Sequence, residues 1–374
     1  MRITGVCELA PEQIAGCEEP LEAAALALVG AARDAGLSGP AAIDGLLVYD
    51  SITLPHLMAA SKLAEYLGLR PAYASTVGAG GASPVFAVIL AAGLVSLGAA
   101  QRVAVVHADL RGGAGQRQSV ISRMASIVGH PQFEDPLGPT VASLYGLLAD
   151  WLIREGGAGP KEFAEIAVSA RMWAAHNQFA HRRDPLTERD VLDAPRIAGP
   201  LGRHDCCLIT DMAAAVIVSG EPAGGGVRLL GTGGAVTHEE ISQIDAADPL
   251  AGARAAAKGV YASTGLTAGD VDVAYLYDSF TVTVAMQLLA YGLDRGAGLA
   301  ELLHVRGTRP GGGLPVNTHG GLLSAVTGGL SHLIEAVRQL RGQAEGRQLE
   351  GLECALVTGV GGVFSHHAAV ILGA

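Results

Sequence analysis

Reactive side chains in this sequence are few, and their spacing excludes more chemistry than it supports. The five cysteines stand at 7, 17, 206, 207 and 354, with no CxxC pair and no histidine at zinc-site spacing, so no metal site is expected from them. None lies in a glycine-rich turn, where a nucleophilic thiolate would meet a substrate, and the expectation is five reduced, buried small residues. His366 and His367 are adjacent and run into an apolar stretch. Neighbouring side chains of a strand face opposite sides, so one is expected at the surface and the other satisfied in the core. The segments GAGGAS at 78–83, GTGGAV at 231–236 and GVGGVF at 359–364 do not complete GxGxxG, and no GxxxxGKS or GxxxxGKT occurs. A nicotinamide or ATP enzyme is therefore not expected. Glycine turns can instead aim backbone N–H groups at a carbonyl oxygen or an anion, when they open a helix.

The elements that must position such turns occur twice. Residues 43–52 read IDGLLVYDSI and residues 271–280 read VDVAYLYDSF, each ending on Tyr-Asp-Ser, at Tyr49 to Ser51 and at Tyr277 to Ser279. The first is followed by GAGGAS, an apolar helix to about Ala100 and the strand RVAVVHA at 102–108. The second is followed by THGGLLS at 318–324, a helix through about Leu340 and the strand CALVTGV at 354–360. Strand, glycine turn, helix and strand in that order predict right-handed parallel units, duplicated within one α/β chain. Between the halves, 136–203 is richer in charge, with apolar residues at helical spacing over 140–155 and 160–176, which predicts an inserted helical cap. DMAAAVIVSG at 211–220 supplies a further strand, and the boundary is placed near Pro222, giving halves 1–221 and 222–374.

Composition agrees with a buried sheet between helices: 49% of the residues are hydrophobic and 16% charged. The formal charge of −11 argues against a nucleic-acid surface, and an anionic ligand would have to rely on local positive groups. No charged residue occurs from Pro71 to Gln101, but glycines at 78, 80, 81, 93 and 98 break that run, so strand, loop and helix are expected rather than a membrane span. The first ten residues include Glu8 and no basic segment ahead of an apolar one. No secretory signal is read there, and a cytoplasmic protein is expected.

The segments IDGLLVYDS, GAGGASP, HNQFAHRRDPLTERDVLDAPRIAGPLGRHDC, TDMAAAVIVSG, YLYDSFT, LPVNTHGGLLS, IEAVRQLRG and TGVGGVFSHHAAVIL, in this order, resemble the thiolase superfamily over nearly the whole chain. Within it they look most like the sterol-carrier-type thiolase and lipid-transfer branch. The resemblance implies two βαβαβαββ halves in α/β/α/β/α layers. It also implies a nucleophilic Cys at the position of Gly78, an Asn at Tyr277, a His at about Thr327 and a second Cys at about Gly359. All four are changed, so thiolate-dependent condensation is not expected.

Tyr277 substitutes another acid-base group, and the Tyr-Asp-x-Phe segment is similar to a steroid side-chain aldolase branch of the family. That similarity implies retro-aldol cleavage of a β-hydroxyacyl-CoA, which removes a hydroxyl proton and passes through a thioester enolate without a covalent intermediate. Tyr277 would be the base, its pKa lowered by neighbours, with Asp278 and His319 beside it. His319 could equally brace its glycine turn. Gly78, Gly80, Gly81, Gly320, Gly321 and Gly361 would hold the substrate through their backbone. A coenzyme A thioester is the implied substrate, with no metal and no tightly bound cofactor. The resemblance further implies a homodimer paired through a strand of the first half, and a small OB-fold, zinc-ribbon partner subunit. Two other readings stay open: a non-catalytic acyl-CoA-binding subunit, and an acyltransferase with an unassigned nucleophile. Loss of the Tyr277 hydroxyl separates the lyase from the scaffold.

Overall fold

The computed structural model describes residues 1–374 except 50, 54, 112–118, 122, 125–128, 221–225 and 327. The boundary at Pro222 and the position at Thr327 thus lie outside the described residues. The first half runs β1 (Arg2–Glu8), α1 (Pro20–Asp34), β2 (Gly45–Tyr49), α2 (Ala59–Tyr66), β3 (Tyr73–Val77), α3 (Ser83–Ser96) and β4 (Arg102–Asp109). The cap follows as α4 (Val141–Arg154), α5 (Pro160–Ala175), α6 (Glu188–Leu192) and a small ribbon of β5 (Arg196–Ala198) and β6 (Leu201–Gly202), after which β7 (Met212–Ser219) closes the half. The second half has β8 (Val227–Val236), α7 (Ala251–Thr264), β9 (Val273–Tyr275), α8 (Thr281–Ala290), α9 (Gly321–Ser324), α10 (Leu330–Leu340), β10 (Cys354–Gly361) and β11 (His366–Gly373).

The strand order β3-β2-β4-β7-β1-β8-β11-β10-β9 makes the duplication explicit. Outward from the centre, β1-β7-β4-β2-β3 matches β8-β11-β10-β9, and the missing fifth strand survives as a single parallel bridge of Val316 to Ala274. The halves meet where Arg2 and Ile3 pair with Arg228 and Val227. Besides that bridge, the parallel pairs among the described residues are β2 with β3 and β4, and β9 with β10. These pairs are the parallel units expected from the sequence, and the sheet as a whole is mixed because β10 returns as β11 through the short link 362–365, which permits only antiparallel pairing.

Alternation along each strand sorts the apolar residues into three cores. Leu46 and Val48 face the outer core with α1 and α2, whereas Leu47 and Tyr49 face a central core with α3 and α10. In the second half Val273 and Tyr275 face that same central core, and Ala274 and Leu276 face a third core with α7, α8 and the cap. The result is the layering α/β/α/β/α. α3 is apolar on nearly all sides because it lies between the two halves of the sheet, which accounts for the uncharged stretch. Among the described residues no helix is long and apolar enough to cross a membrane.

The cap helices form where the spacing places them. Thr140 starts α4 by accepting the Ser143 N–H at 3.1 Å, and Pro160 opens α5. The glycine turn expected at 318–324 itself carries the short helix α9, and the helix expected to follow it through about Leu340 begins at Leu330, as α10.

Candidate active site

Tyr277 lies two residues beyond the end of β9 rather than closing the strand. Its main chain is held twice: its N–H donates to Thr358 Oγ1 (3.1 Å) and its carbonyl accepts Gln287 Nε2 (2.7 Å). Thr358 in turn donates to Gln287 Oε1 (2.5 Å), closing a polar triangle of β10, α8 and the segment after β9. So fixed, the phenol of the second half reaches the glycine turn of the first. A β-carbon on Gly81 would lie 2.3 Å from the Tyr277 hydroxyl and 2.4 Å from the Val360 carbonyl, so only glycine admits this approach. The two turns also pack backbone on backbone: Gly80 faces the Gly362 N–H, and a β-carbon on Gly361 would meet the Ala79 carbonyl at 1.9 Å. Gly78 is exposed, and a β-carbon there would meet nothing within 4 Å. The position expected for a nucleophile has room for a side chain and carries none.

The Tyr277 hydroxyl has no hydrogen-bond partner among the described residues. Burial raises its pKa above the ordinary phenol value, the nearby Cys207 and Tyr145 add to this, and Arg111 opposes them. The expected lowering is absent, so Tyr277 stands as a neutral phenol and a phenolate base is not prepared in the free chain.

Asp278 is fully buried, and its carboxylate is occupied. Oδ1 accepts the Leu322 N–H (2.9 Å) and His332 Nε2–H (3.1 Å), and Oδ2 accepts the Leu323 N–H (3.2 Å). It thereby clamps the first turn of α9 against the end of β9. Gly321 sits in the left-handed region at φ +61°, where a β-carbon would lie 2.0 Å from Asp278 Oδ2, and a β-carbon on Gly320 would lie 2.5 Å from Ala174 Cβ of α5. The Asn177 amide donates to the carbonyl of His319 (2.9 Å), while both His319 ring nitrogens are buried without a partner. Burial, then the neighbouring His332, hold its pKa well below the usual histidine value. Ring contacts run from Tyr277 to His332 (6.5 Å between centroids) and from His332 to His319 (4.9 Å, edge to face). His319 therefore backs the site through His332.

Three groups beside Tyr277 gave no signal in the sequence. His332 sits on the buried face of α10 and reads as a core residue. Tyr145 comes from the cap helix α4; its hydroxyl donates to the Gly362 carbonyl (2.9 Å) and accepts the Phe364 N–H (3.2 Å), tying the cap to the second glycine turn. Cys207 donates its N–H to the Ser279 carbonyl (2.9 Å), so one cysteine does reach the site. Its thiol is pushed up to about 12, by burial first and then by Asp278, and it is not a thiolate at neutral pH. All five cysteines are free.

On the first-half side, Asp109 at the end of β4 accepts Ser51 Oγ (2.8 Å), the Ile52 N–H (2.8 Å), the Thr53 N–H (3.1 Å), the Thr53 hydroxyl and Arg111 Nε (2.7 Å). Burial would raise its pKa, but Arg111, His107 and these hydrogen bonds outweigh it and hold the carboxyl at about 2. His367 is buried, its Nε2 directed at the Phe364 carbonyl (3.0 Å), while His366 is half-buried beside Ser365. The pair divides between core and surface as the strand alternation requires. Glu165, Glu188 and His304 converge in the cap, yet both Glu165 oxygens are taken by Arg309, which supplies the neutralising charge a cation would.

Comparisons with known proteins agree with this architecture. Residues 233–374 match the family described as thiolase C-terminal domain-like. The 17-hydroxy-3-oxo-4-pregnene-20-carboxyl-CoA lyase of Mycobacterium tuberculosis is 30% identical over 361 residues, 92% of each chain. The steroid side-chain-cleaving aldolase of Thermomonospora curvata is 30% identical over 86% of this chain and 85% of its own. Among solved structures, the Ltp2-ChsH2(DUF35) aldolase superposes over 100% of this chain and 97% of its own, with a TM-score of 0.84 and 28% identity. With two related glycine turns meeting across a duplicated layered fold, and relatives of this identity over nearly the full length, the chain belongs to the thiolase superfamily, in its sterol-carrier and steroid-aldolase branch.

Proposed function

We propose that the chain is a carbon-carbon lyase acting on a β-hydroxyacyl-CoA thioester by retro-aldol cleavage. The observation that carries this reading is the free phenol of Tyr277 pressed on Gly81, where the family's cysteine chemistry has no thiol. Net retro-aldol cleavage moves one proton, from the β-hydroxyl to the α-carbon, as the bond between the α- and β-carbons breaks. A neutral phenol can serve both ends: it takes the hydroxyl proton while giving its own to the α-carbon, and is unchanged after each turnover. This role agrees with a raised pKa, because no phenolate need be populated. Backbone N–H groups of the facing glycine turns are the candidates for stabilising the enolate oxygen. Acyl transfer would need a thiolate, which neither Gly78 nor the protonated Cys207 supplies.

A coenzyme A thioester substrate is supported by the names of the relatives, and a second subunit by the two-component name of the Ltp2-ChsH2(DUF35) aldolase. A homodimer and a cytoplasmic location belong to the same reading. The test is Tyr277→Phe, which keeps the ring packing and removes the proton. Turnover of a β-hydroxyacyl-CoA should fall about a hundredfold or more, with a cost of about 1 kcal/mol or less in stability. Between roughly pH 6 and 9 the wild-type rate should lack the unit-slope rise of a phenolate base. An unchanged rate in the variant, with a lowered melting temperature, would overturn the lyase and leave the scaffold reading.

A further inference from the structure

One side chain of the cap joins three parts of the site that come from distant stretches of the chain. Tyr145, on the buried face of α4, lays its ring against Phe280 (4.6 Å between centroids, 28° between planes), three residues beyond Tyr277. Its hydroxyl donates to the Gly362 carbonyl (2.9 Å) and accepts the Phe364 N–H (3.2 Å). Burial, ahead of its other neighbours, raises the pKa of this phenol to about 12, so it keeps the proton it donates. The helix that carries it is closely seated. A β-carbon on Gly146 would lie 3.1 Å from the Ala198 carbonyl of β5, and Leu144, Leu148 and Leu152 are buried in the same core as Phe280.

The two hydrogen bonds fall where the link between β10 and β11 turns. Gly362 and Phe364 both stand in the left-handed region, at φ +58° each. That conformation is open to glycine but costs energy for phenylalanine, and it persists only where the surroundings hold it. The Gly361 carbonyl accepts the Ser365 N–H (3.1 Å) and Ser365 Oγ (3.2 Å), closing the link on itself. The Gly362 carbonyl and the Phe364 N–H are tied instead to the cap, 217 and 219 residues away in sequence. Ser365 thus sets the peptide before Gly362, and Tyr145 sets the peptide after it. On its other side the link meets the first glycine turn, where a β-carbon on Gly80 would lie 3.2 Å from the Gly362 nitrogen.

We propose that Tyr145 is a positioning residue of the lyase: its hydroxyl fixes the second glycine turn opposite Tyr277 and so couples the seating of the cap to the geometry in which the thioester enolate is stabilised. This rests on the retro-aldol reading above. Tyr145 moves no proton in the reaction, because its own is committed to the Gly362 carbonyl. The cap then does more than cover the substrate, since the turn is held only while α4 is seated.

The test compares Tyr145→Phe with Thr140→Ala. The first keeps the ring on Phe280 and removes both hydrogen bonds. The second removes the N-cap of the same helix, whose hydroxyl accepts the Ser143 N–H, and leaves Tyr145 in place. With a β-hydroxyacyl-CoA, kcat of Tyr145→Phe should fall about tenfold or more while KM stays within about twofold of wild type. Thr140→Ala should lower the melting temperature and keep the wild-type kcat. Amide hydrogen exchange should be faster across 359–366 in Tyr145→Phe, and at the wild-type rate there in Thr140→Ala. An unchanged kcat in Tyr145→Phe overturns the proposal, as does a loss confined to KM, an equal fall of kcat in both variants, or unaltered exchange across 359–366. The exchange measurement needs no turnover. A failed lyase reading, seen as a wild-type chain without activity, is therefore distinguished from a failed assignment of Tyr145, seen as wild-type exchange in Tyr145→Phe.

Discussion

A phenol with no acceptor, wedged against a glycine, can move a proton only along the directions a substrate provides. That makes Gly81 as informative as Tyr277. Gly81→Ala places a methyl group 2.3 Å from the phenol oxygen and 2.4 Å from the Val360 carbonyl. We expect a loss of about 1–3 kcal/mol in stability and at least a tenfold fall in turnover as the phenol is displaced. Thermal unfolding and kinetics on one preparation check both, and unaltered turnover would show that the phenol's position is immaterial. The thiols lead to a second expectation at this scale. Cys206, Cys207 and Cys354 are all pushed up to about 12, chiefly by burial, so incubation with acetyl-CoA or acetoacetyl-CoA should leave the intact mass unchanged. A stoichiometric acyl adduct on any of them would restore acyltransferase chemistry.

Among the elements, the loop after β2 owes its shape to one carboxylate. Asp109 ties Ser51, Ile52 and Thr53 to the end of β4 and is held at about 2, against an ordinary value of 3.8. A carboxyl depressed in the folded state contributes stability that is fully present above the unfolded value and is lost as pH falls through the folded one. Its contribution, on the order of 2 kcal/mol, should therefore fade between about pH 4 and pH 2. Asp109→Asn should unfold more readily than wild type at neutral pH, and the gap should narrow across that acid window in denaturant titrations. A gap that stays constant with pH would assign the loss to packing rather than charge.

For the whole molecule, the edge of the sheet at β3 bears on assembly. Among the described residues β3 ends the sheet with one side unpaired; it carries no charge and continues into the uncharged stretch to Gln101. Edge strands without charge or bulge pair readily with a second copy. Light scattering should give a dimer at micromolar concentration, and Ala74→Lys, at the exposed position of β3, should shift it to monomer. A wild-type monomer would refute pairing through this edge.

Much of this molecule is local information written twice. The repeated Tyr-Asp-Ser segments, the glycine turns and the spacing over 140–155 and 160–176 located strands and helices, because alternation and helical period are properties of a short stretch. The resemblance carried the layered topology, and Tyr277 was singled out by the same route. Sequence separation hid the rest. His332, Tyr145 and Cys207 reach the site from a core helix, the cap and a loop, and nothing in their own neighbourhoods marks them. Strand, turn, helix and strand fix β2, β3 and β4 as parallel, as found, but do not govern where β7 and β11 return, which only the tertiary structure decides. The protonation state of Tyr277 was likewise decided only by tertiary structure: a phenol's pKa depends on what is packed around it, and here burial with Cys207 and Tyr145 outweighs Arg111.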